Sequence, residues 1–108
     1  MTTDEAARLE VETSTEGEAS VVVLNGEIDP HTTNTLDAAV DRALGGSGTQ
    51  VVLDLGGVTF IDSAGLRALI RAQRVTQEAG GGLTLRNVRP AAQRIFDITG
   101  LTSELDIQ

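Results

Sequence analysis

Gln50-Val51-Val52-Leu53-Asp54-Leu55-Gly56-Gly57-Val58-Thr59-Phe60-Ile61-Asp62-Ser63-Ala64-Gly65-Leu66 is the stretch whose reading decides the fold. Its first six residues place Val51, Leu53 and Leu55 on one face and Val52 and Asp54 on the other, the period of a strand. Gly56-Gly57 reads as a turn. After Asp62 the period changes: Leu66, Leu69 and Ile70 recur at helical spacing, and Asp62 is of the residue type that caps a helix. Ser63 therefore falls on the first helical turn. Backbone N–H groups there lack intrahelical acceptors and carry the positive end of the helix dipole, so an anionic group is favoured. A phosphate on Ser63 would be well accommodated. A purely structural cap by Asp62 or Ser63 explains the same residues equally well.

Upstream, Leu9, Val11 and Thr13 alternate with Glu10, Glu12 and Ser14, a first strand. Ser14 to Glu18 reads as a hairpin connection, and the β-branched run Ala19 to Leu24 as a buried second strand paired antiparallel to it. Beyond Asn25 to Pro30, Leu36, Ala39, Val40, Ala43 and Leu44 form one helical face closed by Gly45-Gly46. Downstream, the Ser63 helix runs to about Ala79 and stops at Gly80-Gly81-Gly82, before a fourth strand at Leu83-Thr84-Leu85. Pro90 opens a third helix, with Ile95 and Phe96 on its apolar face and Gly100 as its stop. Leu105 to Ile107 reads as a short last strand. Strands alternating with helices predict an α/β fold, a mixed and mostly parallel sheet of four to five strands with right-handed crossovers and helices mainly on one face. The expected organisation is a flexible acidic tail over residues 1–8 and one domain over residues 9–108.

A chain of 108 residues is long enough to bury a core without staples. Its net charge of −8 argues against direct nucleic-acid binding and against anionic membrane surfaces, both of which need clustered cations. A partner surface is expected to be basic or apolar. No Cys is present, so there is no disulfide framework and no thiolate site, which fits a reducing cytoplasm. His31 is the only histidine and reads as a solvated loop residue, so a multi-His metal site is excluded. No cofactor is implied. Met1 to Arg8 has no apolar core of a secretory signal, and Val21 to Leu24 is too short to cross a bilayer.

Gly26-Glu27-Ile28-Asp29 with Leu36, Val52-Leu53-Asp54-Leu55 leading to Phe60-Ile61-Asp62-Ser63-Ala64-Gly65-Leu66, and Pro90 to Leu101 together resemble the STAS domain family. The resemblance is to its bacterial anti-sigma factor antagonists of the SpoIIAA and RsbV type, and it covers about Val21 to Ile107. It implies a small single-domain STAS fold. It also implies a cytoplasmic non-enzyme that, unphosphorylated, binds an anti-sigma factor so that the sigma factor is released. That partner is a serine kinase of the GHKL type which phosphorylates the serine after the motif's Asp, here Ser63; a PP2C-type phosphatase reverses it. Asp29, Asp62, Ser63, Ala64, Gly65, Leu66 and Arg67 are the partner-binding positions that follow.

Ala64 departs from the family by replacing a second Ser or Thr, which leaves Ser63 as the motif's one phosphoacceptor. Arg67 stands where well-known members carry Gly; four residues after Ser63, it shares that residue's helix face and either answers a phosphate or an acidic kinase residue, or simply extends a solvated stripe with Arg71 and Arg74. Asp29 is either a contact residue or the holder of an Asx-turn. Gly65 suits close approach of a partner to the helix. The short end after Leu101 lacks the final helix of some family members, leaving apolar surface for a partner or a weak homodimer. A hydrolase elbow is not supported, because Gly-x-Ser-x-Gly is missing and the one His lies upstream. A Walker loop is not supported either, in a chain without Lys. The alternative function is a non-phosphorylated STAS scaffold in a lipid-transport ATPase or a stress-signalling complex.

Overall fold

The structure is a computed structural model describing residues 8–45 and 50–108. β1 (Leu9–Glu16) and β2 (Ala19–Ile28) form a hairpin, followed by α1 (Thr33–Leu44), β3 (Gln50–Ile61) and α2 (Ser63–Glu78). β4 (Gly82–Arg86), α3 (Pro90–Thr99), a 3₁₀ turn (Leu101–Ser103) and β5 (Asp106–Ile107) complete it. The five strands lie in sequence order, β1 antiparallel to β2 and the rest parallel, as the alternation of elements predicts. Each crossover steps one place in the same direction, so right-handed connections put all three helices on one face.

The core lies between that face and the helices. Val22 and Leu24 of β2, and Val51, Leu53 and Leu55 of β3, are buried against Leu36, Ala39, Val40 and Ala43 of α1 and Leu66, Ala68, Leu69 and Ala72 of α2. Phe96 is the buried residue of α3, while Ile95 beside it is only half-buried. Gly100 takes the left-handed conformation that ends α3 (φ 79°).

Three sequence expectations are corrected. Gly56-Gly57 is not a turn: β3 continues through it for 12 residues. Asn25 pairs with Gly57 where Val23 pairs with Asp54, and Glu27 pairs with Phe60 where Gly26 pairs with Val58, so β3 twice carries an extra residue. A glycine pair serves a bulge as readily as a turn. β2 likewise does not stop at Leu24 but runs to Ile28, through Gly26 at φ 127°. A Cβ on Gly26 would stand 2.0 Å from the Arg8 carbonyl oxygen, so only glycine fits beside the start of β1.

Arg8 is the third correction, because it is not a frayed tail residue. Its backbone carbonyl accepts from Glu27 N–H at 2.9 Å, and its guanidinium donates to Glu27 at 2.8 Å and to Asp29. The tail reading for residues 1–7, and Gly46 as part of a helix stop, lie outside the described residues.

Candidate functional site

Ile28 pairs with Ile61 at the last register position of the parallel pair β2–β3. The two strands therefore end side by side, and the next residues, Asp29 and Asp62, stand at a shared rim from which α1 and α2 depart. The carboxyl ends of parallel strands are where this class of sheet presents its sites.

Asp62 caps α2. It is extended (φ −115°, ψ −168°), its Oδ1 accepts from the Gly65 N–H at 3.0 Å, and its carbonyl accepts from Leu66 N–H at 2.9 Å. Its own N–H donates to the Ile28 carbonyl at 3.3 Å, which ties the helix start to β2. Gly65 sits against the same carbonyl: a Cβ there would meet Ile28 O at 2.6 Å and Ile61 Cγ1 at 2.7 Å. The close approach that Gly65 permits is therefore internal, between helix and strand. Leu66 is buried as well, at 9% exposure. Both residues act on the site's surface by fixing its backbone.

Ser63 is the first helical residue and is exposed; among the described residues nothing hydrogen-bonds its hydroxyl. Ala64 beside it is half-buried, and Arg67 is exposed with no acidic group within ion-pair range among the described residues. Arg71, by contrast, is held by Asp37 of α1 at 3.1 Å, so the Arg67, Arg71 and Arg74 stripe is not uniformly solvated. Helical periodicity thus divides the motif: Asp62 bonds its own helix, Gly65 and Leu66 face inward, and Ser63, Ala64 and Arg67 form the surface.

Asp29 is buried at 5% exposure, and its carboxylate is fully engaged. Oδ1 accepts from His31 N–H at 2.9 Å, and Oδ2 accepts from Arg8. Thr32 Oγ1 in turn accepts from Asp29 N–H at 2.9 Å and donates to the Glu27 carbonyl at 2.8 Å. The Oδ1 bond to the His31 N–H is an Asx-turn, and it holds the strand end on which Asp62 and Gly65 rest. Arg8 is kept above its ordinary pKa chiefly by its hydrogen bond to Glu27, then by the charge of Asp29. Sequence reasoning missed Arg8, because its place depends on the hairpin register Leu9 to Gly26.

It also missed a groove beside the turn. Val58, Thr59, Phe60 and Ile61 of β3, Arg89 at the N-cap of α3, and Ala91, Ala92 and Ile95 of α3 line about 240 Å³. Phe60 is 49% exposed at its edge. The signal available in sequence was an aromatic in a chain with only two of them, placed where a strand ends. Among the described residues no cluster of His, Cys, Asp or Glu is arranged to hold a metal ion, and no helix is long and apolar enough to cross a membrane.

A strand-end turn carrying an exposed serine on a capped helix, in a five-stranded sheet of this order, belongs to a recognisable class. The family described as "Mlab, STAS domain" matches residues 11–106, and the chain belongs to the STAS domain family. Within it, the anti-sigma-B factor antagonist of Bacillus subtilis is 33% identical over 86 residues, covering 80% of this chain and 78% of the relative. The crystal structure of an anti-sigma factor antagonist from Mycobacterium paratuberculosis is 30% identical with a TM-score of 0.76, over 92% of this chain and 84% of that one. Unphosphorylated SpoIIAA, at 24% identity, shares the fold with a TM-score of 0.73 over 93% of this chain and 87% of its own.

Proposed function

We propose that this STAS domain is an anti-sigma factor antagonist that works by partner switching. In its unphosphorylated form it binds an anti-sigma factor, which then releases its sigma factor. The anti-sigma factor is also a serine kinase of the GHKL type, it phosphorylates Ser63, and the phosphate ends binding until a PP2C-type phosphatase removes it. The protein is a cytoplasmic regulator rather than an enzyme. The observation that carries this is Ser63 itself, exposed and, among the described residues, without a hydrogen bond to its hydroxyl, at the first position of a helix capped by Asp62.

Phosphorylation adds about −1.5 to −2 charge and three acceptor oxygens. The helix start tolerates that charge, whereas a partner surface closed over it must desolvate a dianion. A penalty of about 1.4 kcal/mol lowers affinity tenfold, which takes a half-filled complex to about a tenth occupied. Arg67, four residues on and without an ion-pair partner among the described residues, is the side chain placed to answer the phosphate or an acidic group of the kinase.

The test is intact-mass analysis of the protein from its own cells, before and after phosphatase, with a pull-down of wild type, Ser63→Ala and Ser63→Asp. One phosphate that Ser63→Ala lacks, and a kinase partner kept by wild type and Ser63→Ala but lost by Ser63→Asp, is the expected result. No phosphate, with a partner indifferent to charge at Ser63, overturns it in favour of a scaffold role.

A further inference from the structure

The charge of the chain is unevenly distributed. In a protein of net charge −8, the segment Ser63–Phe96 carries Arg67, Arg71, Arg74, Arg86, Arg89 and Arg94 against one acidic residue, Glu78. Two of these arginines are consumed internally, Arg71 by Asp37 and Arg86 by Glu16 at 2.9 Å. Arg89, the N-cap of α3, and Arg94 in its first half pair with no acid among the described residues. Arg89 donates through Nε to the Gly56 carbonyl at 2.8 Å, which fixes its guanidinium at the wall of the β3–α3 groove and leaves its terminal nitrogens without an acid there.

Among the described residues the groove has no acidic residue in its lining and Arg89 is its one charged group; the rest is apolar apart from Thr59 and includes the ring of Phe60. Its volume of about 240 Å³ falls below the range of roughly 300–1,000 Å³ for small-molecule sites. It suits an inserted side chain better than a metabolite. A half-exposed aromatic beside an anchored arginine is the composition on which protein interfaces concentrate their energy.

We infer that this groove docks an acidic segment of the protein partner, with an aliphatic side chain seated on Phe60, Ala92 and Ile95 and a carboxylate on Arg89. The expectation from net charge alone, a basic or apolar partner, is thereby replaced at this surface, since the local sign is opposite to the global one. The inference deepens the partner-switching reading and rests on it, because Ile61 of the groove lies two residues before Ser63. An acidic ligand here is also what a new dianion at Ser63 would repel.

The experiment is a ¹⁵N-resolved NMR titration of the full chain with an acetylated hexapeptide of alternating glutamate and leucine, and with its lysine–leucine counterpart. The acidic peptide is expected to move the amides of Phe60, Ile61, Ala92 and Ile95, less so as salt is raised, and the basic peptide to leave them in place. Arg89→Glu should weaken binding by about tenfold or more, the scale of one lost pairing. Ala91→Glu, at an exposed position of the wall, should do the same without touching the Arg89 bond. Groove amides that ignore the acidic peptide, or answer both peptides alike, or binding that survives both charge changes, overturn the inference. Ser63→Asp is the separate arm: groove binding that it leaves unchanged keeps the docking site and removes electrostatic switching at this surface.

Discussion

Gly65→Ala tests whether the helix bearing Ser63 is seated on β2 as tightly as the geometry states. The added methyl would stand 2.6 Å from the Ile28 carbonyl oxygen, 2.7 Å from Ile61 Cγ1 and 3.0 Å from Ile28 Cγ2. Neither strand end can yield cheaply: Ile28 and Ile61 pair with each other, and the same carbonyl holds the Asp62 N–H. Relief requires the helix start to lift, which also lengthens the 3.0 Å bond from Gly65 N–H to the Asp62 cap. Overpacking of this kind costs about 1–3 kcal/mol, and the cap adds about 1 kcal/mol. Replacing a helical glycine by alanine returns about 0.5–1 kcal/mol. The net loss is about 1–3 kcal/mol, or a fall in melting temperature of roughly 5–20 °C for a domain of this size. Urea unfolding should show a lower midpoint at unchanged m value, and hydrogen exchange a loss of protection at the residue 65 amide. A midpoint equal to or above wild type would refute the tight seating of the helix on Ile28 and Ile61.

Asp29→Ala should destabilise by about 1–3 kcal/mol in the same assay, because it removes the acceptor of the His31 N–H and of Arg8 and frees the turn, while Asp29→Asn, which keeps an acceptor, should lose less. Asp62→Ala should cost about 1 kcal/mol through the cap alone, and Asp62→Asn a few tenths. The Asp97 carboxyl is held below its ordinary 3.8 by the Thr102 hydroxyl and then the Gln93 amide, so its contribution is present above that value and is lost as pH falls through the lower folded value. The urea midpoints of wild type and Asp97→Asn should therefore converge on the acid side of 3.8 and separate above it. Phosphorylation of Ser63 should leave the urea midpoint unchanged or raise it by the equivalent of about 0.3–1 kcal/mol, since the charge lands on a helix N-terminus; a clear fall would point to a switch by unfolding.

What was legible in the sequence was what short range decides. The period of two from Leu9 to Thr13, the spacing of Leu36, Ala39, Val40 and Ala43, and the Asp62 cap are each contained in about a dozen residues, and the structure has all of them. Gly56-Gly57 was misread because a turn and a bulge present the same two letters, and only pairing with Asn25 and Gly26 tells them apart. What could not be read at Asp29 was the partner of its second oxygen, Arg8, 21 residues away across the hairpin. Gly65 was recognised as a site of close approach, but the approaching group is the Ile28 carbonyl, brought there by a parallel crossover that no local pattern encodes. The β3–α3 groove needs elements about thirty residues apart, so its parts were visible and their juxtaposition was not.

The division of the Ser63 turn into an inward and an outward set bears directly on how the proposed switch can be fast and reversible. Asp62, Gly65 and Leu66 spend their interactions on the Ile28 carbonyl, the helix N–H groups and the core, so the position of Ser63 is fixed before any partner arrives. Ser63, Ala64 and Arg67 spend none there, so their chemistry can change without disturbing the fold. A kinase needs a serine presented rigidly and a phosphatase needs the same serine after the charge is added; one scaffold, indifferent to that charge, meets both requirements. The cost of the phosphate then falls on the complex alone, where an acidic partner segment meets a surface that has become more negative.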